Sequence, residues 1–420
     1  MIKDVIIAQK QELEIKLKEK YVERATKAGK LKNPLIKVII GPRRAGKSFF
    51  ALHFLKKQGN FGYANFDDER LLNTEDYDEI VEIINSVYKS PEYILFDEIQ
   101  NLKNWELFVN RLQRKGKNLI ITGSNSNLLS KELATHLTGR HVQIIILPFS
   151  FKEYLEINKE DLTSYQMKEK LDTFLTQGGY PEPLMKNIDQ KEYLTALFDA
   201  IIYKDIVKRY KIRFPGRIED LAFYLMSNIA SEYSYTTLSQ MTKVQSAHTI
   251  QKYLSYLEES FIFFSLKRFS YKVKEQVSSI KKIYCIDNGF IYAKAFNASH
   301  NKGKLYENIV ATELKKKELN GDINFYYWKN QQQEEVDFVI KQGLNIKQLI
   351  QVCYNLDKIN AKNREVRALI KAGKELKCKD LVIINLDKEG EKKIRWFGMQ
   401  ARIKFIPLWK WLLQIKEDKQ

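Results

Sequence analysis

The sequence predicts an α/β protein whose first part is built on a parallel β-sheet. Short apolar runs at 36–40, 93–96 and 118–121 alternate with segments of helical pattern, as in βαβ units. The first run leads directly into the octet GPRRAGKS, and the second ends in Asp97-Glu98. Because parallel sheets bind ligands at the carboxyl ends of their strands, we expect the octet and the two acids at one edge.

The octet fits the phosphate-binding pattern G-x-x-x-x-G-K-[ST], the P-loop, without a mismatch. Its two glycines permit a backbone in which successive N–H groups point at phosphate oxygens. Lys47 is expected to reach the outer phosphates of a nucleotide, and Ser48 to ligate Mg²⁺. For Arg43 and Arg44, phosphate contact and plain solvent exposure are both open. The predicted nucleotide-binding residues are Gly41, Pro42, Arg43, Arg44, Ala45, Gly46, Lys47 and Ser48.

Further polar residues follow the predicted strands. Asp97 is expected to hold Mg²⁺, directly or through water, and Glu98 to polarise the attacking water. Ser124, with Asn125 beside it, is expected to hydrogen-bond the γ-phosphate or the water. Arg140 precedes the next strand and is either an arginine finger for a neighbouring subunit's nucleotide or a surface or capping residue. The predicted catalytic residues are Lys47, Glu98, Ser124 and Arg140.

The amino-acid composition indicates nucleic acid as a partner and leaves few candidates for a bound metal. The formal net charge is +18, and such an excess of cations favours binding to nucleic acid, with a merely solvated basic surface as the alternative. Three widely spaced cysteines and five histidines without ligand spacing leave Mg²⁺ as the expected metal. No apolar stretch approaches the roughly 20 residues of a membrane span, and no signal-peptide core is present. We therefore expect a cytoplasmic protein.

Further motifs follow the octet in a fixed order along nearly the whole chain: YANFDDERL at 63–71, YILFDEIQ at 93–100, ITGSN at 121–125, LTGR at 137–140, LPFSFKEYL at 147–155, GGYPEP at 178–183, IIYKDIVKRY at 201–210, TIQKYLSYLEES at 249–260, KIYCIDNGF at 282–290 and YWKNQQQEEVDFVI at 327–340. The series resembles archaeal and bacterial AAA-type ATPases with a conserved uncharacterised C-terminal domain. This resemblance implies ATP rather than GTP, in keeping with the lack of an Asn-Lys-x-Asp segment in the nucleotide domain. We also expect a homo-oligomer, and a ring if Arg140 acts on a neighbouring subunit's nucleotide, of which a hexameric ring is one form.

The resemblance and the residue patterns together predict five segments. The N-terminal helix is expected to pack on the ATPase core or on a neighbouring subunit. Phe214-Pro215-Gly216 is expected to be a short linker. In order, the segments are the N-terminal helix at 1–30, a P-loop AAA+ ATPase core at 31–147, a helical lid at 148–216, a winged-helix-like domain at 217–299 and a degenerate nuclease-like domain at 300–420.

The winged-helix prediction rests on the order of elements between 217 and 275. Helices are expected at 234–241 and 246–254, and a hairpin wing with a basic edge over 261–274. DNA would bind here if it enters a major groove anywhere; a rigid spacer or a protein contact is equally open. The candidates for nucleic-acid contact are His248, Thr249, Gln251, Lys252, Lys272 and Lys274.

The C-terminal segment resembles the restriction-endonuclease-like, PD-(D/E)XK, fold. Glu307 on a helix and Asp337 on a strand match the positions where such nucleases carry metal-binding acids. Where Glu-x-Lys is expected next, the chain has Gln351 and Cys353, which removes a metal ligand and a cation. A degenerate site follows, and ordinary capping or ion-pair roles for Glu307 and Asp337 are the favoured interpretation.

Three functions are compatible with these features. The first is an ATP-driven motor or remodeller of nucleic acid, most simply DNA, which predicts DNA-stimulated hydrolysis. The second is a nucleotide-gated signalling or defence switch whose C-terminal modules bind protein. The third is an ATP-dependent nuclease, which the missing Glu-x-Lys disfavours. The charge and the winged-helix pattern favour the first.

Overall fold

The computed structural model describes residues 2–414 except 27, 28, 30, 32, 75, 125–138, 245, 296–300, 357, 358 and 397, and for 359–363 only the backbone. The chain divides into two compact units, the first running mainly to Pro148 and the second mainly from Phe149 onwards. Among the described residues, no helix has both the length and the hydropathy to cross a membrane.

The first unit is built on five parallel strands. These are β1 (Ile36–Ile40), β2 (Phe61–Asn65), β3 (Tyr93–Asp97), β4 (Asn118–Gly123) and β5 (His141–Ile145). Their order in the sheet is β2-β3-β4-β1-β5. The helices described in this unit are α1 (Ile2–Lys16), α2 (Lys47–Lys56), α3 (Glu69–Leu72), α4 (Tyr77–Val87) and α5 (Trp105–Arg114). The predicted parallel sheet is confirmed, with the octet between β1 and α2.

The inner strands have the near-continuous apolar sequence of strands covered on both faces. All five residues of β1 are buried, including Lys37, whose ammonium lies 5.6 Å from the Tyr93 ring centroid. The α1 helix packs against β2 and α4, and Gln9 exchanges hydrogen bonds of 3.0 and 2.9 Å with the Asn65 backbone. The predicted N-terminal helix therefore packs on the sheet domain, but it ends at Lys16.

The second unit begins with helices. They are α6 (Phe151–Leu155), α7 (Ser164–Gln177), α8 (Pro181–Lys186), α9 (Gln190–Ala200), which continues as a π-helix (Ile201–Val207), and α10 (Pro215–Ser227). Capping boxes begin two of them, with Ser150 and Glu153 at α6 and Thr163 and Gln166 at α7. The linker predicted at 214–216 is wrong, because Pro215 starts α10, a position that suits proline since its missing N–H is not needed there.

A small three-stranded sheet comes next. Its elements are β6 (Ser231–Tyr233), α11 (Tyr235–Met241), α12 (Ala247–Glu259), β7 (Phe263–Lys267), α13 (Val273–Ser278) and β8 (Lys281–Cys285). The strands are antiparallel in the order β6-β8-β7. Both predicted helices are present. The hairpin wing predicted over 261–274 is wrong in part, because Val273 starts a helix and β7 pairs with β8 beyond it; Ser270 and Lys272 both bond Glu275 in the first turn.

The C-terminal part is a mixed sheet with helices. Its elements are α14 (Asn288–Lys294), α15 (Lys302–Leu319), β9 (Asn324–Lys329), β10 (Glu335–Gln342), β11 (Asn345–Val352), α16 (Ile359–Glu375), β12 (Leu381–Asn385), β13 (Gly390–Trp396), β14 (Met399–Pro407) and α17 (Leu408–Gln414). The order is β13-β14-β12-β11-β10-β9. A helix, an antiparallel meander and a helical crossover to a parallel strand thus follow one another from α15 to β12. The three cysteines are buried and free.

Candidate nucleotide-binding site

The octet forms a tight loop at the carboxyl end of β1. Gly46, with φ 93°, precedes α2 directly, and Gly41 has φ 154°. A Cβ on Gly41 would lie 1.8 Å from the Ile146 carbonyl oxygen, so only glycine fits there. The Lys47 ammonium donates to the Pro42 carbonyl at 3.0 Å. This hydrogen bond joins the two ends of the loop and fixes the position of the Lys47 side chain.

A buried arginine outside the motif stabilises the loop by hydrogen bonds to its backbone. Arg24 donates through Nη1 to the Ala45 carbonyl at 3.0 Å and through Nη2 to the Leu147 carbonyl. The guanidinium thereby ties the loop to the segment after β5. A lone arginine in an irregular N-terminal stretch carries no sequence signal for this role.

The acidic side of the site lies at the ends of the neighbouring strands. Ser48 donates to Asp97 Oδ1 at 2.8 Å, Tyr63 donates to Asp97 Oδ2 at 3.2 Å, and Thr122 also donates to Oδ1. Burial and then the charge of Glu98 raise the pKa of Asp97, while the Thr122 and Ser48 hydrogen bonds and Lys47 oppose that rise. Four elements thus converge on one carboxylate. Tyr63 and Thr122 were not among the predicted site residues.

Glu98 occupies a backbone position that few residues adopt. It has φ 51°, and its N–H donates to Thr122 Oγ1 at 3.0 Å. Its carboxylate lies 3.8 Å from the Lys47 ammonium. Burial alone would raise the pKa of Glu98, but Lys47, Gln100, Arg43 and the Ser124 hydroxyl hold it below its usual value. The side chain is therefore a carboxylate at neutral pH, as a general base must be.

The donor set fits a magnesium nucleotide. Ser48 and Asp97 present adjacent oxygen atoms, the ligands that Mg²⁺ prefers. The glycines at both ends of the loop carry no side chain that could block the approach of a phosphate, and Lys47 supplies a cation beside the loop. Phosphates at the start of α2 would also face the positive end of that helix.

The remaining predicted residues of this unit lie at varying distances from the loop. Arg43 is 4.0 Å from Asp67, and Arg44 has φ 63° in the loop. Arg140 is exposed, and its carbonyl accepts from the Ile36 N–H at 3.1 Å. That bond sits where β1 and β5 begin, at the opposite edge of the sheet from the octet. Asn125, Leu137 and Thr138 lie outside the described residues.

The nucleic-acid candidates sit on and near α12. His248, Gln251 and Lys252 are exposed and Thr249 is half-buried, while the other face of the helix is buried in the core through Ile250, Leu254 and Leu257. Of the two lysines near α13, Lys272 pairs with Glu275 at 3.0 Å, and Lys274 is exposed.

The predicted nuclease residues are brought together, but around a lysine. The Lys282 ammonium on β8 lies 3.0 Å from Glu307 Oε1 and 3.6 Å from Asp337 Oδ1. Glu335 Oε1 is 2.5 Å away, and Gln351 accepts from the Asp337 N–H at 3.3 Å. The favoured ion-pair interpretation of Glu307 and Asp337 is what these contacts show. The residue that sequence reasoning missed is Lys282.

The ionisation states of this cluster follow from its burial and charges. Burial alone would lower the pKa of Lys282, but Glu307 and the other acids hold it well above its usual value. Burial and the nearby Glu307 charge raise the pKa of Asp337 well above its usual range. The lysine is therefore a fixed cation.

The sheet order, the loop and the acids at the end of β3 define a P-loop domain of the AAA type, and a model of the AAA domain matches residues 33–155. Two domains of unknown function follow, DUF8612 at 168–301 and DUF4143 at 302–411. The match points to an ATP-binding, ATPase-like enzyme.

The chain belongs to the same family as the uncharacterized protein MJ1544 of Methanocaldococcus jannaschii. The two are 39% identical over 96% of this chain and 93% of the relative. An uncharacterized protein of Haemophilus influenzae is 32% identical over 73% of this chain and 80% of its own length. Among solved structures, the Walker-type ATPase PABY2304 of Pyrococcus abyssi covers 67% of this chain and 94% of its own, with 16% identity and a TM-score of 0.43.

Proposed function

We propose that this protein is a Mg²⁺-dependent ATPase of the AAA+ class that couples ATP binding and hydrolysis to the binding or remodelling of nucleic acid, most simply DNA. The observation that carries the ATPase part is the convergence of Lys47, Ser48, Asp97 and Glu98 at one edge of the parallel sheet. A cation, a hydroxyl, a metal-binding acid and a base are what phosphoryl transfer to water requires.

Each residue has one task in the proposed reaction. The loop N–H groups and Lys47 bind the outer phosphates, and Ser48 with Asp97 would hold Mg²⁺. The metal, when bound, neutralises charge on the phosphate oxygens. Glu98 accepts a proton from water as the water oxygen bonds to the γ-phosphorus and the bond to ADP breaks. Ser124, which hydrogen-bonds Glu98, orients that carboxylate.

Two substitutions test these roles. Lys47→Ala should abolish ATP binding, because the cation that the loop offers to the outer phosphates is lost. Glu98→Gln should still bind ATP but turn it over about 10²- to 10⁴-fold more slowly, the usual worth of a general base. Binding is measured with a fluorescent ATP analogue and turnover by phosphate release. Undiminished turnover in Glu98→Gln would remove the general-base assignment.

We propose further that Arg140 serves the nucleotide of a neighbouring copy in a homo-oligomer. It is exposed, and it lies at the edge of the sheet away from its own octet, so a second copy is needed for contact. A mixture of Arg140→Ala and Lys47→Ala chains tests this arrangement. Both variants should be inactive alone, and activity should return on mixing, because some interfaces then pair an intact loop with an intact arginine.

The nucleic-acid part rests on the net charge of +18 and on the exposed polar face of α12. The test is the steady-state ATPase rate with and without single-stranded, duplex and branched DNA at one fixed salt concentration. Lys252→Glu should weaken binding to DNA without altering the rate in its absence. Loss of stimulation in Lys47→Ala shows that the stimulated activity belongs to this protein.

A protein-binding switch is the alternative, and one surface feature favours it. Four apolar side chains in and around α13 are largely exposed: Tyr271 (70%), Val273 (72%), Val277 (64%) and Ile280 (51%). Exposed apolar groups at this density mark interaction sites. A slow ATPase rate that is indifferent to every DNA would select this function.

A further inference from the structure

The cluster around Lys282 has the composition of a cation site. Glu307 comes from α15, Glu335 and Asp337 come from β10, and all three carboxylates lie within 4 Å of one point. That point is occupied by an ammonium group whose side chain is 3% exposed. A buried cation facing three carboxylates is rare, because desolvation of charge is costly unless the charge is fully paired.

The surroundings hold this cation in place. Tyr284, two residues along β8, donates to the same Glu307 oxygen at 2.7 Å. The Tyr327 ring lies under the ammonium with its centroid 5.7 Å away. Asp337 uses its other oxygen to accept the Val352 N–H at 2.8 Å, which fixes the carboxylate toward Lys282. Hydrogen bonds from neighbouring elements of the fold thus orient Glu307 and Asp337.

The lysine belongs to a different sheet from two of the three acids. It lies on β8 of the three-stranded sheet, whereas Glu335 and Asp337 lie on β10 of the six-stranded sheet. Its side chain therefore crosses between two sheets of the same compact unit to reach them. Hard carboxylate oxygens in this number are what a divalent cation would otherwise bind.

We propose that the Lys282 ammonium occupies the position of a divalent cation, so that the wild-type cluster binds no metal and removal of the lysine side chain opens a metal site there. The lysine then replaces the metal as the structural cation that joins the two sheets. The replacement of a metal by a lysine also explains, independently of the nucleotide site, why this cluster would not cut nucleic acid.

The test compares Lys282→Met with its parent in an Asp97→Asn background, which removes the acid of the nucleotide site. In metal-free buffer the Lys282→Met melting temperature should fall by about 10 °C, because the buried Asp337 and the partly buried Glu307 and Glu335 lose their cation. Mn²⁺ should raise it again, and electron paramagnetic resonance should show one more bound Mn²⁺ per chain than in the parent. Adding Glu307→Gln should abolish this extra Mn²⁺.

Matched controls separate this result from a general lysine effect. Lys267→Met, on the exposed end of the neighbouring strand β7, should change neither stability nor Mn²⁺ binding. Lys282→Arg should retain a cation and bind no extra metal. An unchanged melting temperature in Lys282→Met, or a destabilised variant that gains no Mn²⁺, would overturn the proposal.

A folding failure is also informative. If Lys282→Met is recovered in soluble form only when Mn²⁺ is supplied during refolding, the proposal is supported; failure with and without Mn²⁺ counts against it. Glu335→Gln then gives a second test, because it leaves the lysine in place with one carboxylate fewer. Its melting temperature should fall, and an unchanged value would contradict a structural role for the cation.

Discussion

Thr122→Val tests how the two acids of the nucleotide site are held. The wild-type hydroxyl donates to Asp97 and accepts from the Glu98 N–H, so one atom links the acid that we propose as a Mg²⁺ ligand to the proposed general base. Valine keeps the shape of threonine and removes only this link. It leaves a buried carboxylate oxygen and a buried N–H each short of one partner.

The size of the effect follows from these two bonds. A buried group left without its partner costs about 1 to 3 kcal/mol, so with two such groups the free energy of unfolding should fall by about 2 to 6 kcal/mol. A base displaced by about 1 Å loses roughly 10²-fold in rate, which sets the expected loss in turnover. The Thr122 hydrogen bond also lowers the pKa of Asp97. Its removal should therefore raise that pKa, favouring the neutral acid, which binds Mg²⁺ poorly.

The assay is steady-state ATP hydrolysis as a function of free Mg²⁺ at two pH values, together with urea unfolding. Thr122→Val should need more Mg²⁺ for half-maximal rate than wild type, and the difference should widen as the pH falls. Thr122→Ser keeps the hydroxyl and should restore both the Mg²⁺ dependence and most of the rate. A Thr122→Val protein with wild-type Mg²⁺ dependence would refute the linking role, even if it were less stable.

Three further predictions concern other parts of the chain. Gly41→Ala should abolish ATP binding and lower the melting temperature, because its Cβ would overlap the Ile146 carbonyl; Gly216→Ala, with open space around the added carbon and no positive φ, is the control. Gln100→Ala should move the acid limb of the ATPase pH profile upward, because Gln100 helps to hold the pKa of Glu98 down; an unmoved limb would contradict this. Burial raises the pKa of Asp287 to about 6 from 3.8. The folded protein then keeps a proton that the unfolded chain has lost, so stability should fall as the pH rises from about 4 to about 6, by about 3 kcal/mol. Asp287→Asn should lack this fall in urea unfolding, and equal pH dependence in both proteins would refute the assignment.

The nucleotide site was predictable because its signals are local. The octet sets the backbone of the loop by itself, and the apolar runs around it fix which strand ends carry Asp97 and Glu98. Two of the hydrogen-bond partners of Asp97 could not be predicted from local patterns, because they lie on other strands. Thr122 meets Asp97 because β3 and β4 are neighbours in register, with Phe96 opposite Ile121. The order of strands is decided by the packing of the whole sheet, so the acids could be predicted from local patterns but the hydroxyl groups around them could not.

The wing illustrates a second limit. The stretch from Phe261 to Lys274 contains β-formers and basic residues in a hairpin-like order, and β7 does form at Phe263–Lys267. Beyond it, Ser270, Lys272 and Glu275 can bond one another within a single turn, which favours a short helix. A local polar contact of this kind competes with strand pairing, and pattern alone does not decide between them.

The lysine of the C-terminal cluster shows what holds Glu307, Glu335 and Asp337 together. Gln351 lacks the negative charge that an acid would bring, and Lys282 adds a positive charge from a strand outside the predicted nuclease-like domain. Each change alone would leave buried charge without a partner, at a cost of several kcal/mol. Lys282 thus places a monovalent cation that cannot dissociate where the three acids meet. The metal site that we propose would therefore open only when the lysine side chain is removed, and the resulting excess of negative charge opposes that step.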